Sequence, residues 1–137
     1  MIRAAANPHA QLSAALAKKK RGAGRAKWTR DLRGRNHPSG EEANWFNAQY
    51  AREDRGEIVI EAIEPAWEIF IHSHNAAKLA RLCSVKADMQ VREGGRVRFI
   101  DFKGRLGDTA VSRLKRKMVL IQHGIEIELV GKYVERE

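Results

Sequence analysis

Two adjacent glycines, Gly94 and Gly95, separate two strand-like runs, Val85–Val91 and Arg96–Lys103. No other stretch of the chain constrains its fold as tightly, because a two-residue hairpin turn fixes the register of both strands. Such a turn pairs Glu93 with Arg96 and brings Asp88 opposite Asp101; a four-residue loop centred on the same glycines gives the same register. Alternation then puts Ala87, Met89, Val91, Arg98, Ile100 and Phe102 on one mostly apolar face. Lys86, Asp88, Gln90, Phe99, Asp101 and Lys103 share the other. Directly opposed residues have Cβ atoms about 5 Å apart, and like charges there repel. Two carboxylates so close need a shared proton or a cation between them. The competing reading is a solvent-facing strand decorated with Asp and Lys, and a one-residue change in the loop would move Asp88 to the other face.

A hard divalent ion such as Mg2+, with Mn2+ as a substitute, suits paired carboxylates and keeps several of its waters. Lys103 lies two residues beyond Asp101 on the same face, near enough to approach a bound water or a phosphate oxygen. Such a set supports metal-assisted phosphodiester hydrolysis.

Upstream, Ser39 reads as the N-cap of a helix from Gly40 to about Arg55, closed by Gly56, with Ala43, Phe46 and Tyr50 as its buried stripe. Two extended pieces broken at Pro65 follow, and Trp67, Ile69 and Ile71 alternate along the second, Ala66–His72. Residues 73–84 read as a loop or a brief helical turn. Beyond the hairpin, a helix from about Thr109 to His123 stops at Gly124, with Val111, Leu114, Met118 and Ile121 as its buried stripe. A last strand falls within residues 125–134. Helix, strands, hairpin, helix, strand is the order of an α/β domain, and 137 residues suffice for one core.

The formal charge of +9 is unevenly placed: residues 1–38 hold ten Lys or Arg against Asp31 alone. That segment reads as a basic N-terminal arm, with a short helix from Asn7-Pro8 to about Lys20 and a flexible Gly-rich linker to Pro38. The globular domain is then 39–137. Lys18, Lys19, Lys20 and Arg21 become candidate phosphate contacts, each releasing counterions from a nucleic acid. A mitochondrial transit peptide and a solubilising tail compete for the same composition. No apolar run approaches the ~18 residues of a membrane span, no secretory signal is evident, and the lone Cys83 excludes an internal disulfide. The expected location is cytoplasmic.

Taken in order and spacing, these residues resemble the PD-(D/E)XK nuclease superfamily, and within it the small phage-type group related to phage endonuclease I and Holliday junction resolvases. "SGEEA" resembles the group's first-helix motif, and "RGEIVIEAIEPAWEIFI" its strand region leading through proline and an aromatic residue. "VKADMQV" and "FIDFKGR" are similar to its two metal-binding strands, and "SRLKRKMVLIQHGIEIELV" to its closing helix and strand. The match runs from about Ser39 to Val130. It implies a restriction-endonuclease-like αβββαβ core, a central mixed sheet flanked by helices. It further implies Asp88, Asp101 and the backbone carbonyl of Phe102 as metal ligands, Lys103 as the catalytic lysine, and Glu42 as the first-helix acid serving the metal or its water shell. Where the signature has proline before its first aspartate, this chain has Ala87.

The resulting expectation is a Mg2+-dependent DNA endonuclease, structure-selective on branched or four-way junction DNA, acting as a homodimer in a bacterial or phage-infected cell. A non-catalytic nucleic-acid-binding protein on the same fold, and a nuclease acting on plain duplex, are the alternatives. Glu42 also has a rival role, as the N3 acid of a capping box with Ser39. Lys115, at the edge of the second helix's stripe, is the foremost phosphate contact there, with Arg113 and Lys117 beside it; a solvated face competes. His72, His74 and Cys83 lack the spacing and fourth ligand of a zinc site. Trp45 and Trp67 read as core rather than as base-stacking residues.

Overall fold

The computed structural model describes residues 28–74, 78–132 and 134. The short helix expected before Lys20 lies outside them, as do Lys18, Lys19, Lys20 and Arg21. In chain order the elements are β1 Thr29–Arg30, β2 Asn36–His37, α1 Gly40–Asp54, β3 Val59–Ile63, β4 Ala66–His72, β5 Leu79–Lys86, β6 Met89–Glu93, β7 Arg96–Phe102, α2 Ala110–His123 and β8 Ile127–Val130. No helix among the described residues is long and apolar enough to cross a membrane.

The glycine hairpin takes the expected register, with Glu93 facing Arg96 and Met89 facing Ile100. Gly94 and Gly95 both have positive φ, +57° and +78°, the backbone a two-residue turn between twisted strands requires. β3 joins the β6 side antiparallel and β8 joins β7 parallel, giving a mixed sheet ordered β3-β6-β7-β8. The chain is thus mixed α/β, with two helices among the described residues.

Two cores lie on the two faces of that sheet. Phe46 and Tyr50 of α1 pack with Met89, Val91 and Ile100 on one side. Val119 of α2 packs with Ile69, Val85, Ala87 and Ile127 on the other, where Phe99 also points. Ser39 caps α1 by accepting the Glu42 N–H, and Ala43, Phe46 and Tyr50 are its buried line, as the periodicity predicts. Thr109 caps α2, and Gly124 ends it at φ +67°.

Four expectations need correction. Residues 79–84 are not a loop or helical turn but most of β5, which pairs antiparallel with β4 as a separate two-stranded sheet. Val85–Val91 is not one strand either: the ladder breaks at Ala87 and Asp88. The same register runs through the break, from Ile63 facing Met89 to Ala66 facing Lys86. β3–β4 and β5–β6 therefore form one long ribbon that bends at two facing corners. Glu64 at φ +51° and Pro65, which supplies no N–H, interrupt one side. The Glu64 N–H donates to the Asp88 carbonyl and the Ala87 N–H to the Pro65 carbonyl, clamping the corners together. The bend also sends Ala87 into the second core, not the face of Met89.

The third correction concerns α2. Val111, Leu114 and Ile121 are more than half exposed, and Val119 is its buried residue. The helix is turned by roughly a third of its circumference from the apolar stripe. Met118 does pack against the second core beside Val119, and polar groups with dedicated partners flank them. Arg116 bonds both Asp108 oxygens and the Ser112 hydroxyl. Gln122 accepts the Phe70 N–H and donates to the Phe70 carbonyl, taking the place of a further strand at the edge of β4. His123 Nε2 lies 2.7 Å from the Glu68 carbonyl.

Fourth, the segment before Ser39 is not a linker throughout. β1 and β2 form a hairpin, with Thr29 facing His37, that packs on α1. Arg33 pairs with Glu53 and lies over the Tyr50 ring, and Arg35 pairs with Glu64 at the ribbon's corner. Folded structure thus begins before Ser39.

Candidate functional site

β7 delivers Asp101 at its C-terminal end, where Ile100 and Phe102 face α1 and the intervening side chain turns to the other side. Lys103 follows, and its N–H continues the β8 pairing by donating to the Val130 carbonyl at 2.8 Å. Its ammonium reaches back to Asp101 Oδ2 at 2.8 Å.

Asp88 reaches the same spot because of the ribbon's bend. Its N–H donates to the Ile100 carbonyl, and its own carbonyl is taken by Glu64 across the corner. The Asp88 side chain then accepts the Phe102 N–H at 2.6 Å, and its carboxyl lies in hydrogen-bonding contact with that of Asp101. Burial pushes the Asp88 carboxyl up to about 8; the charge and hydrogen bond of Asp101 add to this, and the charge of Glu42 adds further. The Phe102 N–H opposes them. Two facing carboxylates disfavour a second negative charge, and the conflict falls on Asp88, since Asp101 has the Lys103 ammonium beside it.

Glu42, in the first turn of α1, stands close enough for its charge to act on Asp88. Trp45, one turn on, stacks on Phe102 with centroids 5.8 Å apart and so ties this end of α1 to the end of β7. Glu42's carboxylate bonds His37 Nδ1 at 2.9 Å, whereas the capping bond at this helix start is accepted by the Ser39 hydroxyl. The structure therefore brings Asp88, Asp101, Lys103 and Glu42 to one end of the sheet.

Beside them a cleft of about 390 Å³ opens between β5 and the N-terminal half of α2, lined by Lys86, Lys103, Ser112 and Lys115 among others. Lys115 thus faces the site, and Lys86, the last residue of β5, joins it. Lys117 lines a different hollow, with Leu120 and Glu126. Arg113 is exposed and donates to the Asp108 carbonyl. Neither converges on the carboxylates.

The donors are hard oxygens: two touching carboxylates, a third nearby, and the Phe102 carbonyl in the chain between Asp101 and Lys103. They fit an oxygen-loving ion that is bound through one or two carboxylates and keeps waters, as Mg2+ does, and offer nothing to a thiolate- or imidazole-seeking one. Among the described residues no group of three or more His, Cys, Asp and Glu is arranged to hold a metal ion, so Glu42 does not join Asp88 and Asp101 in a three-carboxylate ligand set. Cys83 packs against the second core and His72 pairs with Leu79 three positions along β4 from Cys83's partner Ile69, so the zinc alternative has no cluster to rest on.

Three residues of this region were not singled out by sequence. Asp31 and His37 lie behind Glu42 and are buried. Gly131, at φ +138°, lies against the Lys103 backbone so closely that a Cβ there would sit 2.3 Å from the Lys103 carbonyl oxygen. A Gly after a final strand, and a His in a Gly-rich basic stretch, carry no periodic signal by which to find them. Compared with known proteins, the chain matches no protein-family model, no curated protein and no solved structure.

Proposed function

We propose that this chain is a divalent-metal-dependent DNA endonuclease on a restriction-endonuclease-like core, with branched or junction DNA as its preferred substrate. The observation that carries the reading is the contact between the Asp88 and Asp101 carboxyls with Lys103 bound to Asp101. A mixed sheet with a helix on each face, and the two acids at the end of adjacent strands, support the core assignment. Asp88, Asp101 and the Phe102 carbonyl would hold Mg2+, with Glu42 facing its water shell. An ion bound there supplies a Lewis acid for the phosphate and a water of lowered pKa. Lys103 would orient the attacking water or balance charge growing on the phosphate oxygens. Lys86 and Lys115 would hold the neighbouring backbone phosphates, a role supported by their lining one cleft with Lys103.

The test is cleavage of a four-way junction, a linear duplex and supercoiled plasmid with Mg2+ by wild type, Asp101→Ala and Lys103→Ala. Wild type should cut, the junction fastest, and each variant should lose on the order of 10²-fold or more. Equal rates in all three proteins reject the centre. DNA binding without cleavage, across substrates and metals, would instead favour a binding module. Duplex cut as fast as junction would keep the chemistry and discard the structure preference.

A further inference from the structure

We propose that the β1–β2 hairpin belongs to the site: Asp31 and His37 are positioning residues that aim Glu42 at the Asp88–Asp101 pair. This rests on the metal-centre reading above.

The chain of contacts begins at Asp31, whose side chain is fully buried and whose hydrogen-bonding capacity is well used. Oδ1 accepts the N–H groups of Arg33 and Arg35, at 2.9 and 3.0 Å. Oδ2 accepts the Tyr50 hydroxyl and meets His37 Nε2, each at 2.7 Å. Burial alone would raise this carboxyl, but bonds from His37, Tyr50, Arg35 and Arg33 outweigh it and hold Asp31 down at about 2. An ionised acceptor fixes the imidazole: Nε2 carries hydrogen and donates to Asp31. Nδ1 then faces Glu42 Oε2 at 2.9 Å, within hydrogen-bonding distance. The ring cannot swing away, because it is only 3% exposed in its side chain and packs on Phe46 at 4.3 Å between centroids.

Glu42 is consequently held by one oxygen. Among the described residues Oε1 takes no hydrogen bond, while the charge of the group reaches Asp88. A glutamate on the first turn of a helix otherwise explores several rotamers, and ordering it costs free energy at the moment of ion binding. A hydrogen bond from behind a ligand fixes its rotamer beforehand and so removes part of that cost. Packing alone does not account for the arrangement. An apolar side chain would fill the space beside Phe46 without burying a charged hydrogen-bond chain, which is costly unless every partner is in place. The molecule retains a buried Tyr–Asp–His–Glu chain that ends at the acid whose charge acts on Asp88.

Two substitutions of His37 separate aiming from packing. His37→Gln places its amide nitrogen where Nε2 stood, so it keeps the Asp31 bond and loses the Glu42 one. His37→Asn places its nitrogen where Nδ1 stood, so it keeps the Glu42 bond and loses Asp31. The readout is Mn2+ affinity of the full chain by calorimetric titration, with thermal melts alongside and Asp101→Ala as reference. His37→Gln should bind Mn2+ about tenfold more weakly, the usual loss for a partner behind a metal ligand. His37→Asn should stay within about threefold of wild type despite a lower melting temperature. In a Glu42→Gln background, His37→Gln should add less than twofold. A purely structural histidine gives the reverse order, with Asn the weaker binder, and that order overturns the proposal. So does wild-type affinity in His37→Gln; if Asp101→Ala still abolishes binding, the metal centre survives and only the hairpin's role is lost. Absence of Mn2+ binding by wild type itself removes both.

Discussion

Asp88 sits in conflict with its surroundings, half-buried and in contact with a second carboxyl, and that conflict can be read in stability. Its carboxyl is raised to about 8 in the folded chain, by burial first and Asp101 next, whereas an unfolded aspartate titrates near ~3.9. A raised acid stabilises the fold fully below the unfolded value and loses that contribution as pH climbs to the folded value. Metal-free protein should therefore lose stability between about pH 4 and pH 8. Asp88→Asn should flatten that slope and stabilise the metal-free fold at pH 7.5 by at least about 1.4 kcal/mol, the equivalent of one pKa unit. Melting temperature with and without Mg2+ checks both halves: wild type should gain several degrees from the ion, and Asp88→Asn none. A variant that melts lower than wild type without metal would show that Asp88 is a structural acceptor for Phe102 and little more. At this scale Asp88, Asp101 and Lys103 were legible because a two-glycine turn dictates which residues face each other. His37 was not, because its partners Asp31 and Glu42 are joined to it by a fold-back that no spacing announces.

Among the elements, those with a local rule were read closely and those set by a partner were not. Ser39 and Gly56 bracket α1, and Thr109 and Gly124 bracket α2, through capping that depends only on neighbouring residues. The rotation of α2 depended instead on Asp108 holding Arg116 and on the edge of β4 accepting Gln122, neither visible in an apolar count. The break at Ala87–Asp88 was hidden for the same reason: its cause is Glu64-Pro65 on the facing strand. β8 supplies a further case, since its exit glycine governs Lys103. Gly131→Ala would combine a strained positive φ with a Cβ 2.3 Å from the Lys103 carbonyl oxygen. Two backbones must part, costing on the order of 1–3 kcal/mol, and the Lys103 ammonium should move off Asp101. Cleavage should fall more than tenfold at a temperature where circular dichroism shows the variant folded. Unaltered cleavage would mean that the lysine finds its place without help from β8.

Across the whole molecule, charge and architecture divide the basic segment in two. Arg33 and Arg35 are spent within the fold, on Glu53 and Glu64, and the hairpin that carries them covers Tyr50 through Asp31. Residues 39–137 balance their charges, so the excess that would meet a polyanion rests on Arg3, Lys18, Lys19, Lys20, Arg21, Arg25 and Lys27. The site itself contributes only the local cations of the cleft, chiefly Lys86 and Lys115. Two truncations should then behave differently. Removing residues 1–27 should weaken DNA binding and shrink the slope of log affinity against log salt. Each phosphate contact contributes about 0.9 to that slope, so loss of all seven cations lowers it by up to about 6. Removing residues 1–38 deletes the hairpin as well, stripping partners from Tyr50, Glu42 and Glu53, and should lower the melting temperature by many degrees. An unchanged salt slope after the shorter cut would move DNA binding onto the cleft alone. Equal stability after the longer cut would mean that α1 keeps its position without the hairpin behind it.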